Sequence, residues 1–187
     1  MASLGEPTRT EGRVLAAVAA GEELDLRVGD PERDDPSHGA AWDQARSVRA
    51  EFLYDLCVGA HDEWRVHARG LRPRGARITG ELSFEAASVA FPLTFRDCWF
   101  DQPLVLSLAR LVTLRLPGCH VPGIAADQLE ARGNVEFNDG FHADREVRLV
   151  GAHISGWLDC TDGTFTNPGG RALTADQLTV KQSMLCR

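Results

Sequence analysis

The chain has 187 residues, a formal net charge of -7 at pH 7, 43% hydrophobic residues and 25% charged residues. These values are typical of a folded globular protein, exclude a wholly disordered chain, and favour one core over two full-sized domains. The longest apolar run is the seven residues from Val14 to Ala20, which is too short to span a bilayer. Because the net charge is negative, we expect no membrane partner and no direct binding of nucleic acid.

The N-terminal third carries helical patterns. Thr10 is a candidate N-cap for a helix that ends at Gly21. Residues 29–39 are rich in Asp, Pro and Gly and predict a loop. Ser47 is a candidate N-cap for a second helix, which ends at Gly59 and has an apolar side that must pack on something.

From residue 71 a repeat of about 11 residues replaces the helical period. Each of ten units has one leading apolar residue and then an apolar pair separated by one residue, which is the pattern of a short strand with inward side chains. The leading residues are Ile78, Val89, Phe100, Leu111, Val121, Leu129, Phe141, Ile154, Phe165 and Leu178. Two units per coil give about 22 residues per coil, the range of a β-solenoid.

Charge also divides the chain into two parts. Residues 1–70 have a net charge of -6, and residues 71–187 have a net charge of -1. We therefore predict an acidic helical cap over residues 1–63 and a β-helix over residues 64–187.

Strings such as RGARITGELSF and VGAHISGWLDC place a small residue two positions before an inward apolar residue. Examples are Ala76 before Ile78, Ala87 before Val89, Cys98 before Phe100, Cys119 before Val121 and Ala152 before Ile154. The pattern resembles the pentapeptide-repeat proteins over roughly residues 64–187. It is a divergent form, since the five-residue register is interrupted and Asp127, Asp139 and Asp176 stand at the small position.

The whole chain also resembles the N-terminal part of long actinobacterial pentapeptide-type proteins, some of which are labelled oxidoreductase. The resemblance implies a mainly β fold, a right-handed quadrilateral parallel β-helix of about five coils with an N-terminal α-helical cap. It also implies self-association through terminal elements. No residue pattern here supports a redox role, since the chain has neither GxGxxG nor a CxxC pair.

The expected coil register aligns cysteines. It places Cys98 one coil from Cys119, and Cys160 one coil from Cys186, as an inward structural ladder. We favour small buried side chains over stacked thiols that bind a metal or oxidise, because neither pair has a nearby His or carboxylate in a ligand-like arrangement. We therefore expect no metal site and no cofactor, and reduced thiols in a cytoplasmic protein.

The same register predicts an outward column. Trp99 points outward, with Arg77 and His120 at the equivalent positions of the neighbouring coils, so these three residues are a candidate interaction surface. The alternative is that the N-terminal helix or a loop covers the column.

Two further groupings contain histidine and acids: His142 with Asp144, and His153 with Asp159 and Asp162. Exposed polar turns explain them, so we predict no catalytic residue.

These observations favour a non-enzymatic interaction or scaffold module with an unknown protein partner. One alternative is a DNA mimic that binds gyrase or topoisomerase, which requires a more acidic rod than this one. Another is an enzyme that uses an outward face, which a pocket joining His120, His142 or His153 to carboxylates would favour. Because the sequence stops close to Cys186, we expect either self-association through the C-terminal coil or a fragment of a longer protein.

Overall fold

The computed structural model describes residues 5–187, and these contain two α-helices, one 3₁₀ helix and 21 short strands. The helices are α1 (Arg9–Ala20), α2 (Ala50–Val58) and the 3₁₀ helix (Pro36–Ala41). The strands, in chain order, are β1 (Leu24–Asp25), β2 (Ser47–Arg49), β3 (Pro73–Arg74), β4 (Arg77–Thr79), β5 (Leu93–Thr94), β6 (Trp99–Phe100), β7 (Leu104–Val105), β8 (Arg110–Leu111), β9 (Leu114–Arg115), β10 (His120–Val121), β11 (Ile124–Ala125), β12 (Glu130–Ala131), β13 (Val135–Glu136), β14 (His142–Ala143), β15 (Val147–Arg148), β16 (His153–Ile154), β17 (Leu158–Asp159), β18 (Thr164–Phe165), β19 (Leu173–Thr174), β20 (Thr179–Val180) and β21 (Met184–Leu185). Within residues 5–187, no helix has the length and apolar content needed to cross a bilayer.

From β4 onward the chain winds into a parallel β-solenoid of about five coils. Successive strands lie on successive faces, and each strand pairs with the equivalent strand of the next coil. Face 1 stacks β2, β4, β6, β10, β14 and β18; face 2 stacks β7, β11, β15 and β19; face 3 stacks β8, β12, β16 and β20; face 4 stacks β5, β9, β13, β17 and β21. This architecture confirms the predicted fold class, a mainly β parallel solenoid with a helical N-terminal region.

The core is a column of inward side chains that stack from coil to coil. On face 1, Ile78 pairs with Phe100, and Val121 pairs with Ala143. From Ile78 to Leu158, the inward strand residues are at most 2% exposed. Burial of this apolar surface, together with backbone hydrogen bonds between coils, holds the rod together.

The structure corrects the predicted register in three of the ten units. Their predicted leads were Leu129, Phe141 and Leu178, whereas the inward strand residues are Ala131, Ala143 and Val180. In the other units a small residue stands two positions before the inward strand residue. In these three units that position is held by Leu129, Phe141 and Leu178, and not by Asp127, Asp139 or Asp176. At two of these sites a large and a small side chain have exchanged places, as with Phe141 and Ala143, both of which are 0% exposed. The exchange conserves the volume that fills the core.

In each unit the residue three positions before the inward strand residue lies in the left-handed region of the backbone. These residues are Gly75, Ala86, Asp97, Leu108, Gly118, Gln128, Gly140, Gly151, Asp162 and Gln177. Six of the ten carry a side chain, although such residues disfavour this conformation by about 1–2 kcal/mol. Coil geometry therefore imposes the turn even where glycine is not available.

The N-terminal region closes the first coil. Strand β2 extends face 1, with Val48 paired to Ile78, and α2 follows it directly. Phe52 of α2 is completely buried, and the ring of Tyr54 lies 6.1 Å from the ring of Phe84 in the first coil. The division at residue 63 stays a prediction, but β2 shows that a face of the solenoid begins before it.

The predicted helix ends are confirmed, and the predicted starts are wrong. Gly21 and Gly59 terminate α1 and α2 in the left-handed conformation. The N-cap of α1 is Thr8 and not Thr10, because Thr8 forms a capping box with Glu11. Ser47 begins β2 and caps no helix, because pairing with β4 holds residues Ser47–Arg49 extended. The predicted loop at residues 29–39 contains the start of the 3₁₀ helix.

A buried ion pair fastens α1 to β2. Glu11 is 0% exposed, and its carboxylate lies 2.7 Å from Nη2 and 2.8 Å from Nε of Arg49. The backbone N–H of Thr8 and that of Arg49 donate to the same carboxylate. Burial raises the pKa of Glu11, but the hydrogen bonds from Arg49 and Thr8 outweigh it and hold the pKa below the ordinary value of 4.5.

Replacing Glu11 by glutamine should lower the free energy of unfolding by roughly 2 kcal/mol, because Arg49 loses its buried counter-ion. Glu51→Gln is the matched control. Glu51 also approaches Arg49, at 3.7 Å, but its side chain is 66% exposed, so its loss should cost less than about 0.5 kcal/mol. Urea unfolding at neutral pH measures both.

The effect of Glu11→Gln should also depend on pH. A carboxylate whose folded-state pKa is lowered stabilises the protein fully above its unfolded pKa, and this stabilisation is lost as the pH falls through the folded pKa. The gap between wild type and Glu11→Gln should therefore narrow below about pH 4.5. Equal losses in Glu11→Gln and Glu51→Gln, or a gap that does not change in acid, would contradict the assignment.

Candidate interaction surface

The face 1 column consists of the outward residues Arg77, Trp99, His120 and His142. Arg77 pairs with Trp99, Trp99 with His120, and His120 with His142. They point outward because each precedes an inward strand residue, and successive side chains of a strand point to opposite faces. The structure thus places the three predicted residues side by side and adds His142 to them.

Arg77 and Trp99 are held by one carboxylate. Asp101 accepts hydrogen bonds from Nε of Arg77 at 2.9 Å, from Nη2 of Arg77 at 3.1 Å and from Nε1 of Trp99 at 2.8 Å. Arg77 also donates to the carbonyl oxygen of Trp42. The guanidinium is therefore largely engaged within the protein, and this end of the column presents little free charge.

The 3₁₀ helix lies against Trp99. Gly39 is buried, and a Cβ at this position would overlap the Cβ of Trp99. Trp99 is half-buried as a result. The covering residues belong to the loop region, whereas α2 lies over the first coil. Trp99 is therefore neither fully exposed nor fully covered, an outcome between the two alternatives drawn from the sequence.

The other end of the column is a histidine–aspartate cluster, His120, His142 and Asp144. Nε2 of His120 lies 2.6 Å from Oδ2 of Asp144, and Nε2 of His142 lies 3.1 Å from Oδ1. The ring centroids of Trp99 and His120 are 4.5 Å apart, and those of His120 and His142 are 4.8 Å apart. Three rings therefore lie in a row across three coils, with interplanar angles of 42° and 37°, and the row ends at a carboxylate.

Exposure increases along this cluster, and its carboxylate is ionised. The side chains of His120, His142 and Asp144 are 14%, 36% and 49% exposed. Burial raises the pKa of Asp144, but hydrogen bonds and charge from the two histidines outweigh it and lower the pKa below its ordinary value. A negative charge thus lies at the accessible end of the column.

The other predicted grouping is not assembled. His153 lies on face 3, whereas Asp159 lies on face 4 and accepts hydrogen bonds from Asn138 and Thr161. Nδ1 of His153 lies 2.9 Å from the carbonyl oxygen of Gly151. A cavity of about 420 Å³ includes His153, but Glu130 beside it is paired with Arg110 at 3.1 Å. This cavity offers no catalytic pair among its lining residues.

Of the four cysteines assigned to the inward ladder, Cys98, Cys119 and Cys160 are buried and Cys186 is exposed. Cys98 and Cys119 are 0% exposed, and Cys160 is 5% exposed. Burial raises the pKa of Cys119 and raises that of Cys160 to about 12, so both are neutral thiols at physiological pH. Cys186 is exposed, because no further coil packs on the last one within the described residues.

Comparisons with models of known protein families, with curated proteins and with solved structures found no match to this chain.

Gly39→Ala tests the packing of the 3₁₀ helix on Trp99. Because the new Cβ would overlap Trp99, we expect a loss of about 1–3 kcal/mol and faster hydrogen exchange over residues 36–41. Gly12→Ala is the matched control, since Gly12 lies in α1 with open space around it and alanine should stabilise the helix by up to about 1 kcal/mol. Equal changes in stability in Gly39→Ala and Gly12→Ala would disprove the contact between Gly39 and Trp99.

Proposed function

We propose that this chain is a non-enzymatic protein-interaction module of divergent pentapeptide-repeat type, and that the face 1 column is its binding surface. The observation that carries the proposal is the row of tilted rings of Trp99, His120 and His142, which runs along the rod and remains partly accessible. Aromatic side chains lose little conformational entropy on binding and are enriched where interfaces concentrate their energy.

The chemistry of the column favours a partner that presents arginine. The ring face of Trp99 attracts a guanidinium, and Asp144 adds a half-exposed carboxylate on the same column. Because Arg77 is neutralised by Asp101, it contributes no strong repulsion. A basic segment laid along the rod would contact both the rings and the carboxylate.

The DNA-mimic alternative receives less support from the charge pattern. Mimicry of DNA requires regularly spaced, unpaired negative charge. Several acids of the rod are instead paired with arginines of an adjacent coil. These pairs are Arg110 with Glu130, Arg115 with Glu136 and Arg148 with Asp127.

Site-specific photocrosslinking tests the proposal. A benzophenone amino acid at His142 on face 1 should give a discrete covalent adduct in the native cell, whereas the same probe at the exposed His153 on face 3 should not. The partner, once purified, should bind His142→Ala about tenfold more weakly than wild type and bind His153→Ala normally. Identical adducts from both positions, or a partner indifferent to His142→Ala, would reject face 1 as the interface.

As a second part of the proposal, the C-terminal coil joins a second copy of the chain. Met184 is 48% exposed and Cys186 is exposed, although both lie in register with inward residues of the preceding coil. The strands of this coil also have an unpaired edge among the described residues. The C-terminal coil of a second copy has the same four-sided outline. A two-fold dimer would therefore cover the exposed side chains and the unpaired strand edges of both copies.

Sedimentation velocity over the micromolar range tests this association. Wild type should dimerise, and Met184→Lys should raise the dissociation constant about tenfold or more by placing a charge in the interface. Leu108→Lys is the matched control, because Leu108 is 50% exposed but lies on the side of the rod. A monomer throughout this range, or equal effects of the two substitutions, would refute the dimer.

A further inference from the structure

The histidine–aspartate cluster has the composition of a metal site. Among the described residues, His120, His142 and Asp144 form a group in which one potential ligand atom from each lies within 4.8 Å of the others. Two imidazole nitrogens and one carboxylate oxygen are a common donor set for zinc, which takes three protein ligands and leaves a fourth position open.

The geometry requires only small side-chain movements. Zinc binds nitrogen and oxygen at about 2.0–2.2 Å, which separates neighbouring ligand atoms by roughly 3.3 Å in a tetrahedral site. The carboxylate oxygens of Asp144 already lie 2.6 Å from Nε2 of His120 and 3.1 Å from Nε2 of His142. A metal ion that enters between the two imidazole nitrogens and the carboxylate would replace these two hydrogen bonds with bonds to the metal.

The surroundings fix the ligands on one side and leave the other open. The Trp99 ring packs against His120, whose side chain is only 14% exposed, so this imidazole has little freedom. Asp144 is half-exposed and gives an ion and its water a route in.

The position of the cluster gives such an ion a structural consequence. His120 belongs to β10, whereas His142 and Asp144 belong to β14 and the residue after it, on the next coil. An ion bound by all three would cross-link adjacent coils on their outer surface, in place of the side-chain hydrogen bond between His120 and Asp144. Binding to the folded state only would raise the stability of the rod.

We propose that His120, His142 and Asp144 bind a divalent transition-metal ion, zinc by the chemistry of the set, and that the ion joins two coils of face 1. The site was not expected from the sequence. Its test needs neither a second protein nor the C-terminal coil, but a bound ion and an arginine of a partner would compete for the carboxylate of Asp144.

Titration calorimetry with zinc chloride on the tag-free full chain tests the site. All variants should carry Cys186→Ser, because Cys186 is an exposed thiol that could bind zinc elsewhere. We expect one saturable site, with affinity reduced about tenfold or more in His142→Ala and in Asp144→Asn. His153→Ala is the control, since it removes an exposed histidine from face 3 and should leave the affinity unchanged.

A second readout separates a built site from surface binding. Zinc should raise the melting temperature of the control variant, His153→Ala, and not that of His142→Ala. Cobalt should give visible absorption bands without thiolate charge transfer in the control only. His142 is the preferred position for substitution, because it is 36% exposed and its loss leaves the Trp99–His120 contact intact.

Three results would overturn the proposal. They are no saturable zinc binding to the wild-type cluster, binding that persists unchanged in both His142→Ala and Asp144→Asn, and an equal loss in His153→Ala. In each case the cluster would be a hydrogen-bonded clamp between coils and nothing more. Circular dichroism of the metal-free variants shows whether the fold is retained.

Discussion

The stacking of one coil on the next is the constraint on which the rest of this structure depends. Most strands of the solenoid are two residues long, and a strand of that length has no stability of its own. Each is held by parallel hydrogen bonds to the coils above and below, such as the bond from the amide of His142 to the carbonyl oxygen of Cys119. Register between coils, and not local conformation, therefore decides which side chains meet.

Register is maintained although the coils differ in length. On face 3 the chain advances 20 residues from Leu111 to its partner Ala131, and 26 residues from Ile154 to its partner Val180. The extra residues leave the strands and form a turn near Asn167, whose side-chain amide donates to the carbonyl oxygen of Arg171. Insertions are tolerated at corners because only the inward and paired residues carry the stacking energy.

The solenoid could be predicted because its signal is a period, which many units reinforce. The register of a single unit is harder to predict. At Ala131 and Ala143 a small side chain stands where the pattern requires a large one, so the pattern selects the nearest large residues, Leu129 and Phe141. Both choices are apolar and buried, and local hydrophobicity cannot distinguish them. Only pairing across coils does.

The same reasoning explains what was missed at the candidate site. The predicted register aligns Phe141 with Val121 and therefore places Gly140 beside His120. The shift of the inward residue to Ala143 is what brings His142 next to His120. The contact of Gly39 with Trp99 was not predictable in this way, because the loop that carries Gly39 has no repeat to fix its position.

The N-terminal region determines which part of the face 1 column is available. Helix α2 lies over the first coil, and the 3₁₀ helix packs on Trp99, so these elements cover the end of the column that contains Arg77. Accessibility then rises from His120 to Asp144, toward the later coils. A basic side chain or a metal ion would therefore reach the cluster from the side of the later coils, where the carboxylate of Asp144 is half-exposed.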